Sequence, residues 1–204
     1  MSDAGARPTN PERDQDRAFD LCECWQKYGY VMFPQQRSIY SHLSRRCAHR
    51  TVLEAGAGDG IGGAQIEQRA KRYIGTDKLA SNVHFARCLY PWITFDVWDI
   101  AKPWHGDRAE TVVCVEAIEH VADPEKALRN LLDAATVEVW LSTPNGLVKR
   151  EYPPSNPYHC REFEPQEMFG MLRGHGRVTV HDWQTFDVVQ ELGELNPIVY
   201  RVMK

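Results

Sequence analysis

The stretch VVCVEAIEHVADP, residues 112–124, places Glu116, Glu119 and His120 at the mouth of the apolar run Val112–Val115. Two carboxylates and an imidazole so spaced can hold a divalent metal, move a proton or cap a helix. The residues that follow narrow the third option. Asp123 and Pro124 read as the N-cap and first position of a helix, with Lys126 exposed, so the capping role falls to Asp123 rather than to the glutamates. A second chemical stretch is VLEAGAGDGIGG, residues 52–63. Gly56, Gly58 and Gly60 permit tight turns and a close backbone approach to a ligand, which a Cβ would block. The same run holds G-x-G-x-x-G at Gly58, Gly60 and Gly63, with Asp77 near the spacing of a ribose ligand, so a dinucleotide is one candidate. Asp99 is a third acidic residue at a strand end. Taken singly, Asp77 and Asp99 also suit turns or helix caps.

The elements that must position these groups alternate. TVLEAG, YIGTD, WITFDVWD, TVVCVE and VEVWLSTP read as strands. IGGAQIEQRAKR, SNVHFARCLY and DPEKALRNLLDAA read as helices between them, although the paired glycines weaken the first. Strands alternating with helices predict βα units and a parallel sheet. Beyond Pro144 the pattern predicts a long irregular stretch to Phe163, then a helix over PQEMFGMLRG. RVTVHDWQTFDVV and PIVYRVMK are strand-like with no helix-length segment between them, so the sheet should finish in an antiparallel strand near 197–203. Glu164 stands where Ser or Thr would cap the helix that begins at Pro165, which predicts a start without a side-chain cap.

The chain has 204 residues, 43% apolar and 25% charged, which suits one soluble domain with a sizeable core. The reading divides it into a disordered tail at 1–11, an N-terminal helical lid at 12–48 and the main domain at 49–204. A formal net charge of -4 argues against a general polyanion-binding surface. The six cysteines include no C-x-x-C pair, and the polar N-terminus lacks an apolar signal-peptide core, so a reduced, cytoplasmic protein is expected. No segment has the length of a membrane span.

Glu54 before the first glycine gives E-x-G-x-G-x-G, and Asp77 and Asp99 follow in order after apolar runs. On these residues, and on VEAIEHVADP, the chain from Thr51 to about Phe163 resembles the class I S-adenosylmethionine-dependent methyltransferases. The resemblance implies a Rossmann-like, doubly wound α/β fold. Its seven-stranded, mostly parallel sheet would carry an antiparallel C-terminal hairpin strand. It implies that Glu54, Gly56, Gly58 and Gly60 surround the methionine end of the cofactor. Asp77 would accept from the ribose hydroxyls and Asp99 from the adenine amine, with Trp98 or Ile100 against the ring. Glu116 would face cofactor or substrate.

E-x-x-E-H, with His159 in the later PYHCREF, is similar to two metal-assisted subgroups. These are the O-methyltransferases of ubiquinone biosynthesis and the enzymes that methylate the 3′-terminal 2′-hydroxyl of small RNAs. Glu116, Glu119, His120 and His159 would then hold a divalent metal; without one, His120 or His159 is the base. The aromatics Trp25, Tyr28, Tyr30, Phe33, Tyr152 and Tyr158 would cover the substrate, and Lys149, Arg150 and Arg161 would meet an anionic group or solvent. A small-molecule hydroxyl acceptor is expected first and an RNA 3′ end second, in a monomer or homodimer. A nicotinamide-binding reductase and a noncatalytic adenosylmethionine-binding subunit are the alternatives.

Overall fold

A computed structural model of the chain describes residues 32–149, 156, 158–190 and 195–204. The expected tail at 1–11, the part of the expected lid at 12–31 with Trp25, Tyr28 and Tyr30, and Arg150 and Tyr152 lie outside the described residues, and the side chain of Lys149 is likewise not described.

The first described helix is α1 (Pro34–Arg46). Then come β1 (Thr51–Ala55), α2 (Ile61–Glu67), β2 (Arg72–Asp77), α3 (Ala80–Leu89), β3 (Thr94–Val97) and β4 (Ala109–Val115). A 3-10 turn (Ile118–His120), α4 (Pro124–Ala134), β5 (Ala135–Thr143) and α5 (Gly146–Lys149) follow. The series closes with α6 (Pro165–Leu172), β6 (Arg177–His181) and β7 (Ile198–Met203). The strands form one seven-stranded sheet in the order β3-β2-β1-β4-β5-β7-β6. β1 to β5 are mutually parallel, and β7 runs antiparallel to both β5 and β6. The expected α/β sheet and its antiparallel strand are both present. β1 lies between β2 and β4, so the order reverses at the β1–β4 pair, where a crevice opens at the carboxyl ends of the strands.

Burial on both faces explains why the strands read as continuous apolar runs. In β4, Val112 and Cys114 point to the layer of α4 and α6, with Leu128, Leu131, Met168 and Leu172. Val113 and Val115 point to the layer of α1, α2 and α3, with Ile39, Leu43, Ile66 and Phe95. α4 starts as the sequence suggests: Asp123 accepts from the Lys126 N–H at 3.0 Å and Pro124 opens the helix. α6 starts behind Glu164 without a side-chain cap, also as expected.

Three boundaries differ from the expectation. α2 ends at Glu67 because the chain must already enter β2 at Arg72. β3 ends at Val97, not Asp99, because Trp98 turns out of the edge and buries its indole, bonding Nε1 to the Lys102 carbonyl at 2.9 Å. β6 ends at His181, where Asp182 accepts from the Gln184 and Thr185 N–H groups and folds the chain back so that Val188 bridges His181. The stretch beyond Pro144 contains the short α5 and is tied across by a bridge between Asn145 and Phe163.

Candidate active site

β1 delivers the glycine loop to the crevice. Gly56, Gly58 and Gly60 have φ of 76°, 58° and 80°. At Gly56 a Cβ would stand 2.6 Å from the Ala117 Cβ, and at Gly60 it would stand 2.5 Å from the Phe95 ring, so these two positions exclude side chains on space as well as on φ. The end of β2 holds the loop through Asp77. Its Oδ2 accepts from the Gly58 N–H at 3.1 Å, and its Oδ1 accepts from the Leu79 N–H at 2.9 Å and the Asn82 amide at 3.1 Å. Asp77 is thus a turn residue whose carboxylate also stands against the glycine loop. Asp99 lies two residues beyond β3. Its Oδ1 accepts from the Ala101 N–H at 3.0 Å and its Oδ2 stands 3.9 Å from Lys102 Nζ. Ile100 is buried, and Trp98 belongs to the α4 core rather than to an open crevice wall.

Glu54 does not line the loop's open side. It is fully buried, with Oε1 accepting from the Tyr40 hydroxyl at 2.5 Å and Oε2 from the Tyr73 hydroxyl. Burial pushes its pKa up to about 7, against the two hydroxyls, which favour the anion; Asp59 pushes it further up. The paired glycines of α2, which weakened the helix on propensity, make room for this arrangement. A Cβ at Gly62 would collide with the Tyr40 ring, and one at Gly63 with the Tyr73 hydroxyl. Because the folded pKa lies above the unfolded value of 4.5, the folded state binds the extra proton between pH 4.5 and about 7. Stability is therefore full below pH 4.5, falls across that window by about 3 kcal/mol, and is flat with respect to this group above pH 7. Thermal melts of Glu54→Gln should lose that slope; an unaltered slope would mean another group causes it.

Glu116 follows directly on β4, with a φ of 51° that is unusual for a side chain of this size. Its Oε1 accepts from the Ser142 hydroxyl at 2.8 Å. The 3-10 turn then carries Glu119 and His120. The later loop reaches this turn through its backbone: the Cys160 N–H donates to the Glu119 carbonyl at 2.8 Å, and Cys160 Sγ approaches the His120 carbonyl at 3.3 Å. This brings His159 to His120, ring centroids 4.9 Å apart and nearly perpendicular. Glu119, His120 and His159 offer ligand atoms that all lie within 4.8 Å of one another. Glu116 stands outside this trio but close enough to raise the pKa of Glu119.

His120 donates Nδ1–H to the Tyr158 carbonyl at 2.8 Å, which leaves Nε2 with a lone pair. Burial pushes its pKa down to about 4; the Tyr158 carbonyl opposes this and His159 adds to it. His159 has the same tautomer by another route. The Asn156 amide donates to Nε2 at 2.9 Å, so Nδ1–H goes to Glu162 Oε1 at 3.1 Å. Asn156 is oriented by its own Oδ1, which accepts from the Tyr158 N–H. Glu119 is 1% exposed and neither carboxylate oxygen makes a hydrogen bond of normal geometry among the described residues, although the Thr143 hydroxyl and its own backbone N–H lie close enough to favour the anion. Burial, then Glu116 and Glu162, hold its pKa well above the ordinary carboxylate range. Sequence reasoning missed Tyr40, Tyr73, Asn156 and Glu162. The usable signals were the Gly62–Gly63 pair and the three-residue spacing from His159 to Glu162.

A methyltransferase-domain family model matches residues 53–136, the span that holds the glycine loop, Asp77, Asp99 and the E-x-x-E-H turn. A probable S-adenosylmethionine-dependent methyltransferase of Mycolicibacterium smegmatis is 32% identical over 151 residues, 71% of this chain and 58% of that protein. Over residues 53–136 the chain carries a methyltransferase domain, and it is similar to S-adenosylmethionine-dependent methyltransferases. It spans a little over half the length of that curated relative. Solved methyltransferases share the fold at low identity. The complex of the Haloferax volcanii Trm112 methyltransferase activator with a methyltransferase aligns at a TM-score of 0.71 and 15% identity, covering 93% of this chain and 97% of that one. The magnesium protoporphyrin IX methyltransferase of Synechocystis, with bound S-adenosylhomocysteine, aligns at 0.64 and 15%, covering 90% and 94%. Among the described residues, no helix is long and apolar enough to cross a membrane.

Proposed function

We propose that this chain transfers the methyl group of S-adenosylmethionine to a hydroxyl of a small molecule. The observation that carries the reading is the glycine loop bonded to Asp77 at the sheet's reversal point, where open α/β sheets take their ligands. Gly56, Gly58 and Gly60 flank the methionine end. Glu54 acts there from beneath, through the loop, since both its oxygens are occupied by tyrosines. Asp77 accepts from the ribose hydroxyls, Asp99 meets the adenine amine beside Ile100, and Glu116 faces the methyl group.

Transfer is an in-line displacement. An acceptor oxygen lone pair forms the C–O bond as the S–C bond breaks, the sulfonium becomes a neutral thioether, and the hydroxyl proton leaves to a base. The cofactor supplies the activation; the protein contributes positioning and removal of water and the proton. With a pKa of about 4, His120 is a weak base near neutral pH. His159 takes the proton at Nε2 once the acceptor hydroxyl displaces the Asn156 amide from that nitrogen, while Glu162 keeps hold of Nδ1–H. Calorimetry should show S-adenosylhomocysteine binding and no NADH binding. The reverse result would favour a nicotinamide-binding reductase, and cofactor binding without methyl transfer to any hydroxyl acceptor would favour a noncatalytic subunit.

The orphaned Glu119 carboxylate beside two neutral-acceptor imidazoles favours a second, metal-assisted reading. The donor set fits a divalent transition ion. Glu119, His120 through Nε2 and His159 through the nitrogen now facing Asn156 would hold it, with Glu116 nearby; Glu162 and the Tyr158 carbonyl are placed as the outer partners that orient ligating imidazoles. Bound there, such an ion lowers the pKa of an acceptor hydroxyl. This version of the site also admits the 3′-terminal 2′-hydroxyl of an RNA as acceptor.

A further inference from the structure

The tyrosines beneath the glycine loop take no part in the reaction above. Tyr40 belongs to α1 and Tyr73 to β2, yet both end on the carboxyl group of Glu54, two residues before Gly56. The contact extends to α2, where Gly62 leaves room for the Tyr40 ring and Gly63 for the Tyr73 hydroxyl. From the same point, Thr76 Oγ1 donates to the Glu54 carbonyl at 2.7 Å, and the Thr76 carbonyl accepts from the Ala57 N–H at 2.7 Å. Four elements therefore meet at one buried carboxyl group, directly under the loop. α1 reaches the same layer through Ser44 Oγ, which donates to the Gln65 carbonyl at 2.5 Å, and through buried Ile39 and Leu43.

Loss of the Tyr40 hydroxyl would leave a buried carboxyl oxygen without its donor. Such a group is costly, and the chain can relieve it only by moving Glu54 or the ends of β1 and α1. Ala117 and Phe95 fill the space where Gly56 and Gly60 would carry a Cβ, so the loop is bounded on that side.

We propose that Tyr40 is a positioning residue for the cofactor: through Glu54 it ties α1 to the glycine loop, so that cofactor seating and the docking of α1 favour one another. The inference rests on the reading of that loop as the cofactor seat. Coupling of this kind is reciprocal. A bound cofactor therefore stabilises α1 although Tyr40 lies below the loop.

Hydrogen exchange over residues 34–46, with and without S-adenosylhomocysteine, tests this alongside calorimetry. In the wild type, saturating S-adenosylhomocysteine should slow exchange in α1 as well as in the loop. Tyr40→Phe should weaken binding about tenfold and remove the slowing over 34–46 while keeping it in the loop. Glu54→Gln keeps an acceptor for one tyrosine and a donor for the other, so it should retain part of the α1 response. Unchanged affinity in Tyr40→Phe, or weakened affinity with full slowing over 34–46, overturns the proposal. Should Tyr40→Phe fail to fold, the wild type still decides: binding with no slowing over 34–46 removes this inference alone. A wild type that does not bind S-adenosylhomocysteine removes the reading of the loop as a cofactor seat and the inference with it.

Discussion

Asp77→Ala is expected to weaken S-adenosylhomocysteine binding by about 10- to 150-fold, from the loss of about 1.5–3 kcal/mol of charge-assisted hydrogen bonding. A carboxylate suits two neighbouring ribose hydroxyls because it presents several lone pairs and no hydrogen. Here the same group also takes the Gly58 and Leu79 N–H groups, so the alanine variant loosens the loop as well as removing ligand contacts. The two effects separate by temperature. A purely architectural role would lower the melting temperature and leave the affinity of the folded protein intact when titrated well below it. A full loss of affinity at low temperature assigns Asp77 to the ligand. Affinity equal to the wild type in a folded Asp77→Ala protein would remove Asp77 from the cofactor site.

Glu119→Gln is expected to raise stability and remove metal binding together. Glu119 is buried with no hydrogen bond of normal geometry to either oxygen among the described residues, and burial with Glu116 and Glu162 raises its pKa against its own backbone N–H and the Thr143 hydroxyl. A folded pKa above the unfolded one means that stability is full below the unfolded carboxylate range. It falls as pH rises toward the folded pKa, because ionising the buried group costs more than ionising it in the unfolded chain. The amide cannot ionise, so the gain should be largest at the alkaline end, about 1–3 kcal/mol. For a chain of this size that is a rise of about 2–4 °C in melting temperature per kcal/mol. The metal-assisted reading adds a second readout. Wild type loaded with manganese or cobalt should melt higher than after chelation, and Glu119→Gln should not respond to either ion. A variant that melts lower than the wild type at pH 8, or that still gains stability from the ion, would sink the pairing of cost and ligand role.

The α/β alternation was legible because the central strands β1, β4 and β5 are apolar runs buried on both faces, with helix-length polar segments between strands. The antiparallel β7 was legible because no helix-length segment precedes it. The limits of β3 were not. Trp98 extends an apolar run, and only the three-dimensional packing shows that its indole leaves the sheet edge for the α4 core. The glycine pair in α2 pointed the wrong way for a related reason: propensity penalises glycine in a helix, whereas here two tyrosines occupy the vacated space. In the site, the order of Glu54, Asp77 and Asp99 was visible along the chain. That both Glu54 oxygens are taken by tyrosines was not, since Tyr40 and Tyr73 come from separate elements. The meeting of His159 with His120 depends on backbone bonds from Cys160 to the 3-10 turn, which carry no residue-type signature and were expected only through the family resemblance.

The place of β7 between β5 and β6 has a consequence for the chain while it is being made. β6 joins the sheet through β7 alone, and β5 finds its second neighbour only there. During synthesis, β1 to β5 can pair among themselves as they leave the ribosome. Until Ile198–Met203 follows, however, β5 keeps an open edge that includes Val139 and Leu141. An unpaired apolar edge is a template for any other strand, so the nascent protein has an interval of exposure to aggregation that closes only with its seventh strand. Premature termination before Ile198 would leave a five-stranded sheet with an adhesive edge, a natural client for chaperones and proteases.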